Sequence, residues 1–291
     1  MYRDASRIEM NAARRAALGK SPAGHKYHAG HALVLSGGAG RTGAARLAAR
    51  GALRIGAGLV TIGCPHGALA EIAAQVTSIM CRPLDGAPGL REVLEDKRLN
   101  ALCLGPGMGL GPDTQAMVLA ALGDAGLDAR PTVLDADALM RFERNPDVLF
   151  RALHEACVLT PHEGEFGRLF PDIAEEVVAD DTRVNAARKA AARAGAVVLL
   201  KGPETVVAAP DGRAALHDAI GARAAPWLAT AGSGDVLAGF ITGLLARGLP
   251  AFEAACSATW LHVEAARSFG PGLIAEDLPE EVPRVFRSIG L

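Results

Sequence analysis

Short apolar runs alternate with longer segments of helical period along most of this chain. The runs are rich in Val, Ile and Leu, and an uninterrupted apolar run is typical of a parallel strand that is buried on both faces. Strands are predicted at His31–Ser36, Leu59–Gly63, Val76–Cys81, Leu99–Leu104, Thr132–Asp135, Cys157–Thr160, Val197–Lys201, Thr205–Ala209 and Arg213–His217.

Ala-rich segments between and after these runs are predicted as helices. The last of them places Phe252, Ala255, Cys256, Val263 and Ala266 at three- and four-residue steps or their multiples, which predicts one buried stripe. Alternating strands and helices indicate an α/β fold, with a central, mostly parallel sheet flanked by helices on both faces. The predicted helices are Thr42–Gly56, Pro112–Leu122, Asp181–Ala194, Val236–Arg247 and Ala251–Phe269.

The first residues of the chain differ from the rest. They are polar and rich in Ala and Arg, and a stretch of Gly and His then leads into the first predicted strand. Residues 1–25 are therefore predicted as an arm or linker. Since no Pro/Ser-rich linker follows, residues 26–291 are predicted as a single domain.

Composition excludes several classes of function. No apolar run approaches the roughly 18–20 residues that span a bilayer, and the first twenty residues do not have the pattern of a signal peptide, so we expect a cytoplasmic protein without a membrane partner. The formal net charge is −2 and only 4% of residues are aromatic, which argues against nucleic acid as a partner.

Five predicted strands end in loops with glycine and polar residues. One such loop carries little information, because turns between strands and helices favour glycine and cap residues for structural reasons. Five of them at the carboxyl edge of one parallel sheet predict a ligand site, since open α/β sheets bind ligands at that edge. The loops are Ser36–Gly43, Gly105–Gly109, Asp135–Asp137, Thr160–Phe166 and Lys201–Thr205.

A sixth segment, Gly232-Ser233-Gly234-Asp235, runs directly into an apolar helix. Glycines let several backbone N–H groups point at one place, and the helix dipole adds positive potential there, so the segment predicts a phosphate site. Asp235, which directly follows Gly234 beside the predicted phosphate site, is a candidate general base. The alternative is a simple helix cap, but a run of glycines is a costly spacer for a cap.

A dinucleotide-binding dehydrogenase is a competing interpretation, because Gly38-Ala-Gly-Arg-Thr-Gly43 is a literal GxGxxG after a strand. The second strand, however, ends at Cys64-Pro-His66 without the acidic residue that holds a ribose hydroxyl. No GxxxxGK[ST] motif of a Walker-type NTPase occurs.

Together these motifs resemble those of the ADP/ATP-dependent NAD(P)H-hydrate dehydratases of the ribokinase-like superfamily. The resemblance extends from about residue 31 to residue 245, with the motifs in the family's order. Its most discriminating part is Thr160-Pro-His-Glu-Gly-Glu-Phe166, since related vitamin kinases have Asn in place of His162. The remaining motifs are Thr42–Ala48, Gly105–Gly109, Val133–Leu139, Leu200–Val206 and Gly232–Asp235.

The resemblance implies a role for individual residues. Asp235 would be the catalytic residue and would also contact the substrate, and Glu165 matches an acidic position that helps organise Mg²⁺. The nucleotide would be bound by Lys201, Gly202, Pro203, Glu204, Thr205, Gly232, Ser233 and Gly234. The hydrated dinucleotide would be bound by Ala44, Gly105, Gly107 and His162.

The residues alone leave some of these roles open. A histidine after a strand is often a satisfied loop residue, and Glu165 also fits a helix-capping carboxylate. Asp135 and Asp137 fit a cap and a partner for an arginine. Lys201 ends an apolar strand, where its charge either points to a ligand or reaches out to solvent.

The activity implied by the resemblance is repair of the S-epimer of hydrated NADH and NADPH, with ADP or ATP as phosphoryl donor and Mg²⁺ as cofactor. Many bacterial members carry an epimerase domain, so an NAD(P)H-hydrate epimerase is the expected functional partner, and a homo-oligomer is expected. Within the same fold a vitamin or sugar kinase remains the alternative, against which chiefly His162 argues.

Overall fold

The apolar runs form the strands of one sheet, because a parallel strand covered on both faces needs apolar side chains at every position. The computed structural model describes residues 5–20, 24–123, 128–175 and 180–291. Within these residues the strands are β1 Ser6–Arg7, β2 His31–Leu35, β3 Leu59–Cys64, β4 Met80–Pro83, β5 Ala101–Leu104, β6 Thr132–Leu134, β7 Cys157–Leu159, β8 Val197–Leu200, β9 Glu204–Ala208 and β10 Ala214–Asp218.

Helices connect most of these strands and cover both faces of the sheet. The predicted stripe of the long twelfth helix is confirmed, since its five apolar residues are all buried. The helices in the described residues are α1 Ala12–Leu18, α2 Gly43–Arg54, α3 Leu69–Ala73, α4 Gly86–Leu94, α5 Pro112–Ala121, α6 Asp137–Met140, α7 Pro146–Phe150, α8 Glu163–Leu169, α9 Pro171–Ala174, α10 Asp180–Ala194, α11 Ser233–Ala246, α12 Ala251–Phe269 and α13 Asp277–Ser288.

The order of the strands places the ligand-binding edge. The order is β1-β10-β9-β8-β7-β6-β5-β2-β3-β4, with the strands from β8 to β4 parallel and β9 antiparallel to both of its neighbours. The chain proceeds from β2 toward β4 on one side and from β5 toward β8 on the other. The connections therefore diverge between β2 and β5, which is the switch point at which open sheets bind ligands. The predicted α/β class is confirmed.

Alternate residues of the buried strands pack into two hydrophobic cores, one on each face of the sheet. In β2, Ala32 and Val34 pack with α2, α11 and α12, whereas Leu33 and Leu35 pack with the helices of the opposite face. Successive strand side chains point to opposite faces, so a run that is apolar throughout fills both cores.

Helices α2 and α11 pack unusually closely on one face of the sheet. A Cβ on Gly239 would lie 2.1 Å from the carbonyl oxygen of Ala48, and one on Gly243 would lie 2.6 Å from that of Ala52. Only glycine lets the two backbones approach this far. The contact fixes the beginning of α11 relative to the beginning of α2.

The residues predicted as an arm are packed onto the sheet. β1 pairs in parallel with β10, and Ile8 and Leu18 are buried in the core on the side of α11. Residues 1–4 and 21–23 lie outside the described residues. Where an independently folding domain begins stays a prediction.

One predicted strand was misplaced. The expected strand Val76–Cys81 begins only at Met80, and Thr77 and Ser78 are exposed in a bend. The strand lies at the sheet's edge, where its residues alternate between exposed and half-buried, so it lacks the continuous apolar run of the central strands. Among the described residues, no helix has the length and apolarity needed to cross a membrane.

Candidate active site

The loops that follow β2, β5 and β6 lie backbone against backbone at the switch point. A Cβ on Gly37 would lie 1.9 Å from the carbonyl oxygen of Gly107, and one on Gly105 would lie 1.7 Å from that of Asp135. Gly105 and Gly107 both have positive φ, at 128° and 73°. These glycines form the floor of a site at the carboxyl edge, because they let the backbones of the three loops approach one another this closely.

Helix α11 begins at this edge, and none of the residues that the structure describes caps it with a side chain. Its N-cap residue Gly232 is left-handed, and a Cβ there would lie 2.6 Å from the side chain of Leu47 on α2. The first N–H groups of a helix have no intrahelical partner, and with no capping side chain they can be satisfied by a ligand. Together with the helix dipole they make the start of α11 an anion site.

Asp235 lies in the first turn of α11, because the helix begins at Ser233, three residues before the predicted start at Val236. Burial and, to a lesser extent, the neighbouring charge of Asp135 raise the pKa of its carboxyl from 3.8 to about 7, although the charge of Lys201 lowers it. A carboxylate that holds a proton near neutral pH is a suitable general base, because its basicity matches the operating pH.

Lys201 connects the acidic residues of the site. Its Nζ lies 2.9 Å from Asp135 Oδ1 and 3.8 Å from Glu165 Oε2. Burial alone lowers the pKa of Lys201, but Asp135, Glu165 and Asp235 together raise it, so the ammonium stays charged. A Cβ on Gly234 would lie 3.6 Å from the same Nζ. The Lys201 ammonium is therefore ion-paired and also lies beside the anion site. The partner of Asp135 is this lysine rather than an arginine.

The predicted nucleotide loop, Lys201–Thr205, is held from behind by Arg183 of α10. The guanidinium donates to the carbonyl oxygens of Lys201, at 2.8 Å, and Glu204, at 2.9 Å. A Cβ on Gly202 would lie 2.5 Å from that guanidinium, so a larger residue here would displace Arg183 from the loop. Sequence reasoning missed Arg183, because its contacts cross from a helix to a loop about twenty residues away.

His162 and Glu165 form a reciprocal cap at the start of α8. His162 Nδ1 accepts from the N–H groups of Gly164 and Glu165, and Glu165 Oε2 accepts from the His162 N–H at 2.8 Å. Glu165 is 6% exposed, whereas the side chain of His162 is 58% exposed. His162 Nε2 lies 3.6 Å from Glu165 Oε1, and the ring is held at the start of α8 with much of its surface accessible.

The glycine loop before α2 is closed by Glu71 of α3. Glu71 accepts from the Gly40 N–H at 2.7 Å and from the Thr42 hydroxyl at 2.5 Å. The order of the strands from β4 to β7 is that of a dinucleotide-binding fold. In such a fold the GxGxxG loop offers its donors to a diphosphate. Here the Glu71 carboxylate occupies these donors, which argues against a dehydrogenase. Ala44 follows in the first turn of α2.

His262 of α12 supports the anion site from below. It is buried, and burial lowers its pKa to about 4, so the ring is neutral and Nε2 donates to the carbonyl oxygen of Ser233 at 2.8 Å. The Ser233 hydroxyl donates to the Leu228 carbonyl at 2.8 Å. These two bonds restrain the first turn of α11. Sequence reasoning missed His262, because it lies in an apolar helix 29 residues beyond Ser233.

Comparison with known proteins decides the family. Residues 32–282 match the NAD(P)H-hydrate dehydratase family. An ADP-dependent (S)-NAD(P)H-hydrate dehydratase of Neisseria meningitidis is 40% identical over 83% of this chain and 78% of its own length. A bifunctional NAD(P)H-hydrate repair enzyme of Moorella thermoacetica is 38% identical over 93% of this chain and 52% of its own length. The structure of the ADP/ATP-dependent NAD(P)H-hydrate dehydratase of Bacillus subtilis, crystallised with ATP and Mg²⁺, is similar with a TM-score of 0.77, at 30% identity and coverage of 94% of this chain and 95% of that one.

The chain belongs to the NAD(P)H-hydrate dehydratase family. It spans about half the length of the bifunctional relatives that it matches. The likeness to solved structures also confirms the ribokinase-like form of the α/β fold.

The residues of this family member fit a Mg²⁺ ion that arrives with a nucleotide. Within the described residues, no three His, Cys, Asp or Glu side chains are grouped to hold a metal by themselves. Mg²⁺ needs only one or two carboxylates when phosphates and water complete its shell. Glu165, although engaged in the α8 cap, has lone pairs left for a metal-bound water.

Proposed function

We propose that this chain dehydrates the S-epimer of hydrated NADH and NADPH, with ADP or ATP as the phosphoryl donor. The observation that carries the proposal is Asp235, a carboxyl with a pKa of about 7 at the mouth of an uncapped, glycine-rich helix start. Phosphate on the helix and a base beside it are what phosphoryl transfer to a hydroxyl group requires. Because the chain belongs to the dehydratase family, we assign this hydroxyl group to hydrated NADH or NADPH.

Hydroxide is a poor leaving group from carbon, and phosphorylation replaces it with a good one. In the proposed reaction the hydroxyl oxygen of the hydrate attacks the terminal phosphorus of the nucleotide, and Asp235 accepts the hydroxyl proton. The N–H groups at the start of α11 and the Lys201 ammonium stabilise the charge on the transferred group. Glu165 would help to hold a Mg²⁺ ion, which would neutralise part of the charge on the phosphates.

The second half is an elimination. The C–O bond of the phosphorylated hydrate breaks, inorganic phosphate leaves, and a ring proton is lost as the double bond of the nicotinamide is restored. The nucleotide becomes AMP or ADP, and the oxygen of the former hydroxyl group leaves in the phosphate. In this scheme Lys201, Gly202, Pro203, Glu204, Thr205, Gly232, Ser233 and Gly234 bind the nucleotide, and Ala44, Gly105, Gly107 and His162 bind the substrate.

The wider setting of the reaction stays predicted. An epimerase as functional partner, a homo-oligomeric state, a cytoplasmic location and the lack of a nucleic-acid partner rest on the sequence. The choice between ADP and ATP is part of the proposal.

The function is tested by supplying purified protein with ADP or ATP and following both the recovery of NADH absorbance and the release of phosphate. We expect nucleotide consumption only when hydrated NADH or NADPH is present. Equal turnover with pyridoxal, hydroxymethylpyrimidine or ribose would instead support a vitamin or sugar kinase.

The two binding regions are expected to respond separately to mutation. Lys201→Ala removes a charge beside Gly234 and should raise the KM for nucleotide, whereas His162→Ala removes the exposed imidazole and should raise the KM for the hydrated dinucleotide. Because Lys201→Ala also leaves Asp135 buried without its partner, Lys201→Arg, which keeps the charge, is the matched control. An equal effect of both alanine variants on one ligand alone would contradict the assignment.

A further inference from the structure

The loop Asp135–Asp137 is one of the five loops that predict a ligand site, but the proposed reaction assigns no ligand to it. It follows β6, which lies next to β5 and two strands from β8. Neighbouring strands are about 4.8 Å apart, so β5 and β8 lie about 5 Å and about 10 Å from β6, on opposite sides. The loop therefore lies between Gly105–Gly109, assigned to the substrate, and Lys201–Thr205, assigned to the nucleotide.

The backbone of this loop is strained at Ala136. Of the described residues other than glycine, Ala136 alone has positive φ, with φ at 46° and ψ at −118°. This conformation favours glycine, and another residue keeps it only where the surrounding contacts enforce it. Residues i and i+2 of an extended strand point to the same side, so the reversal of φ between Asp135 and Asp137 lets their side chains reach loops on opposite sides of β6.

Backbone contacts on both sides of Ala136 enforce this conformation. The Asp135 N–H donates to the carbonyl oxygen of Leu104 on β5 at 3.1 Å, and the Asp135 carbonyl oxygen accepts from the Ala138 N–H at 3.1 Å. A Cβ on Gly105 would lie 1.7 Å from the same carbonyl oxygen, so the loop fits closely against the end of β5. The backbone positions of both aspartates are therefore fixed relative to the floor of the site.

Asp137 anchors the loop that is assigned to the substrate. Its Oδ2 accepts from the Gly109 N–H at 2.7 Å, and the Thr114 hydroxyl donates to the Gly109 carbonyl oxygen at 2.7 Å. Gly105, Gly107 and Gly109 all have positive φ. Since glycine leaves the chain more conformational freedom than any other residue, this loop needs contacts from outside to keep a single shape. Asp137 supplies one of them from the next loop along the sheet.

Asp135 anchors the loop that is assigned to the nucleotide. It is 2% exposed, and its Oδ1 lies 2.9 Å from Lys201 Nζ, whereas Glu165 Oε2 lies 3.8 Å from the same atom. An ammonium that is largely removed from water depends on its nearest carboxylate for compensation. Asp135 therefore determines where the Lys201 ammonium lies beside Gly234.

We propose that Asp135 and Asp137 are positioning residues that fix the substrate loop and the nucleotide loop relative to each other. Asp137 holds Gly105–Gly109 through the Gly109 N–H, and Asp135 holds Lys201–Thr205 through the Lys201 ammonium. Both carboxylates act through the loops that they hold. The proposal rests on the proposed function for the identity of the ligand that each loop binds.

The test measures the affinities for ADP and for NADPH, the product of the proposed reaction, by titration calorimetry. Asp137→Ala should weaken NADPH binding about tenfold or more, as the loss of a charge-assisted hydrogen bond does, and change ADP binding less than about twofold. Asp135→Ala should show the reverse pattern, because Lys201 is no longer held beside Gly234. Asp147→Ala, which removes an exposed carboxylate from the first turn of α7, is the control and should leave both affinities unchanged.

Asparagine separates an anchoring hydrogen bond from an effect of charge alone. Its amide oxygen still accepts a hydrogen bond, so Asp135→Asn and Asp137→Asn should keep both affinities within about threefold of the wild type. Asn variants as impaired as the Ala variants, equal losses of both ligands in either Ala variant, or tighter ADP binding in Asp135→Ala would overturn the proposal. The expected pattern of affinities without turnover of any hydrate by the wild type would support the positioning residues and count against the proposed function.

Discussion

Replacing Asp235 with Asn should reduce dehydration by roughly 10²–10⁴-fold while nucleotide binding is retained. The substitution keeps the shape of the side chain and removes the base, so the substrate hydroxyl cannot transfer its proton as the phosphoryl group arrives. The N–H groups that hold the phosphates belong to the backbone of α11 and are unaffected. Turnover and nucleotide affinity are measured on the same preparation.

The pH dependence provides a second readout. Since the base must be ionised and its pKa is about 7, kcat/KM of the wild type should rise as the pH increases through about 7. The same shift opposes folding, because the unfolded chain releases this proton near pH 4 and the folded chain only near pH 7. Asp235→Asn should therefore match the wild type in stability at pH 4 and exceed it by roughly 1–3 kcal/mol at pH 8.

The alternative role of Asp235 is a capping residue in the first turn of α11. Asn serves nearly as well as Asp in a cap, so turnover would then stay near that of the wild type. Near-normal turnover of Asp235→Asn together with unchanged stability at pH 8 would contradict the role of Asp235 as the general base.

Gly239→Ala should destabilise the fold and weaken nucleotide use together. Alanine in a helix interior normally stabilises by about 0.5–1 kcal/mol relative to glycine, but this Cβ would lie 2.1 Å from the carbonyl oxygen of Ala48. The clash outweighs the propensity, and we expect a net loss of roughly 1–3 kcal/mol in the free energy of unfolding by urea. Because α11 must move away from α2, its N-terminal turn shifts and the KM for nucleotide should rise.

Gly167→Ala is the matched control, since Gly167 also lies inside a helix and its Cβ would meet only Ala174, at 3.8 Å. This variant should be slightly stabilised and keep the wild-type KM for nucleotide. If both variants gained stability, the close contact of α2 and α11 would not constrain the site.

The buried strands could be predicted because each face of the sheet is covered, so the chain shows continuous apolar runs such as Ala32 to Leu35. The edge strand β4 could not, since its exposed positions remove that signal. The anion site at the start of α11 could be predicted from Gly232 to Asp235 because its chemistry is local. The glycines, the end of the helix dipole and the carboxylate lie within four residues.

The supporting residues of the site could not be found in this way. Glu71 and Arg183 each lie on a helix and bond to a loop that is distant in sequence, and His262 bonds to the first residue of another helix. Their positions are ordinary within their own helices, and only the packing of the helices on the sheet directs them to the site. From the sequence alone Asp135 fits a partner for an arginine, but the register of β6 and β8 around β7 brings it to Lys201 instead.

The central claim is that phosphoryl transfer to the hydroxyl group precedes loss of its oxygen. Hydrated NADH that carries oxygen-18 in this hydroxyl group distinguishes the routes when it is turned over by the protein with ADP or ATP. If the oxygen is phosphorylated before the carbon–oxygen bond breaks, the label will be found in inorganic phosphate. Label found in water, with none in phosphate, would contradict the mechanism.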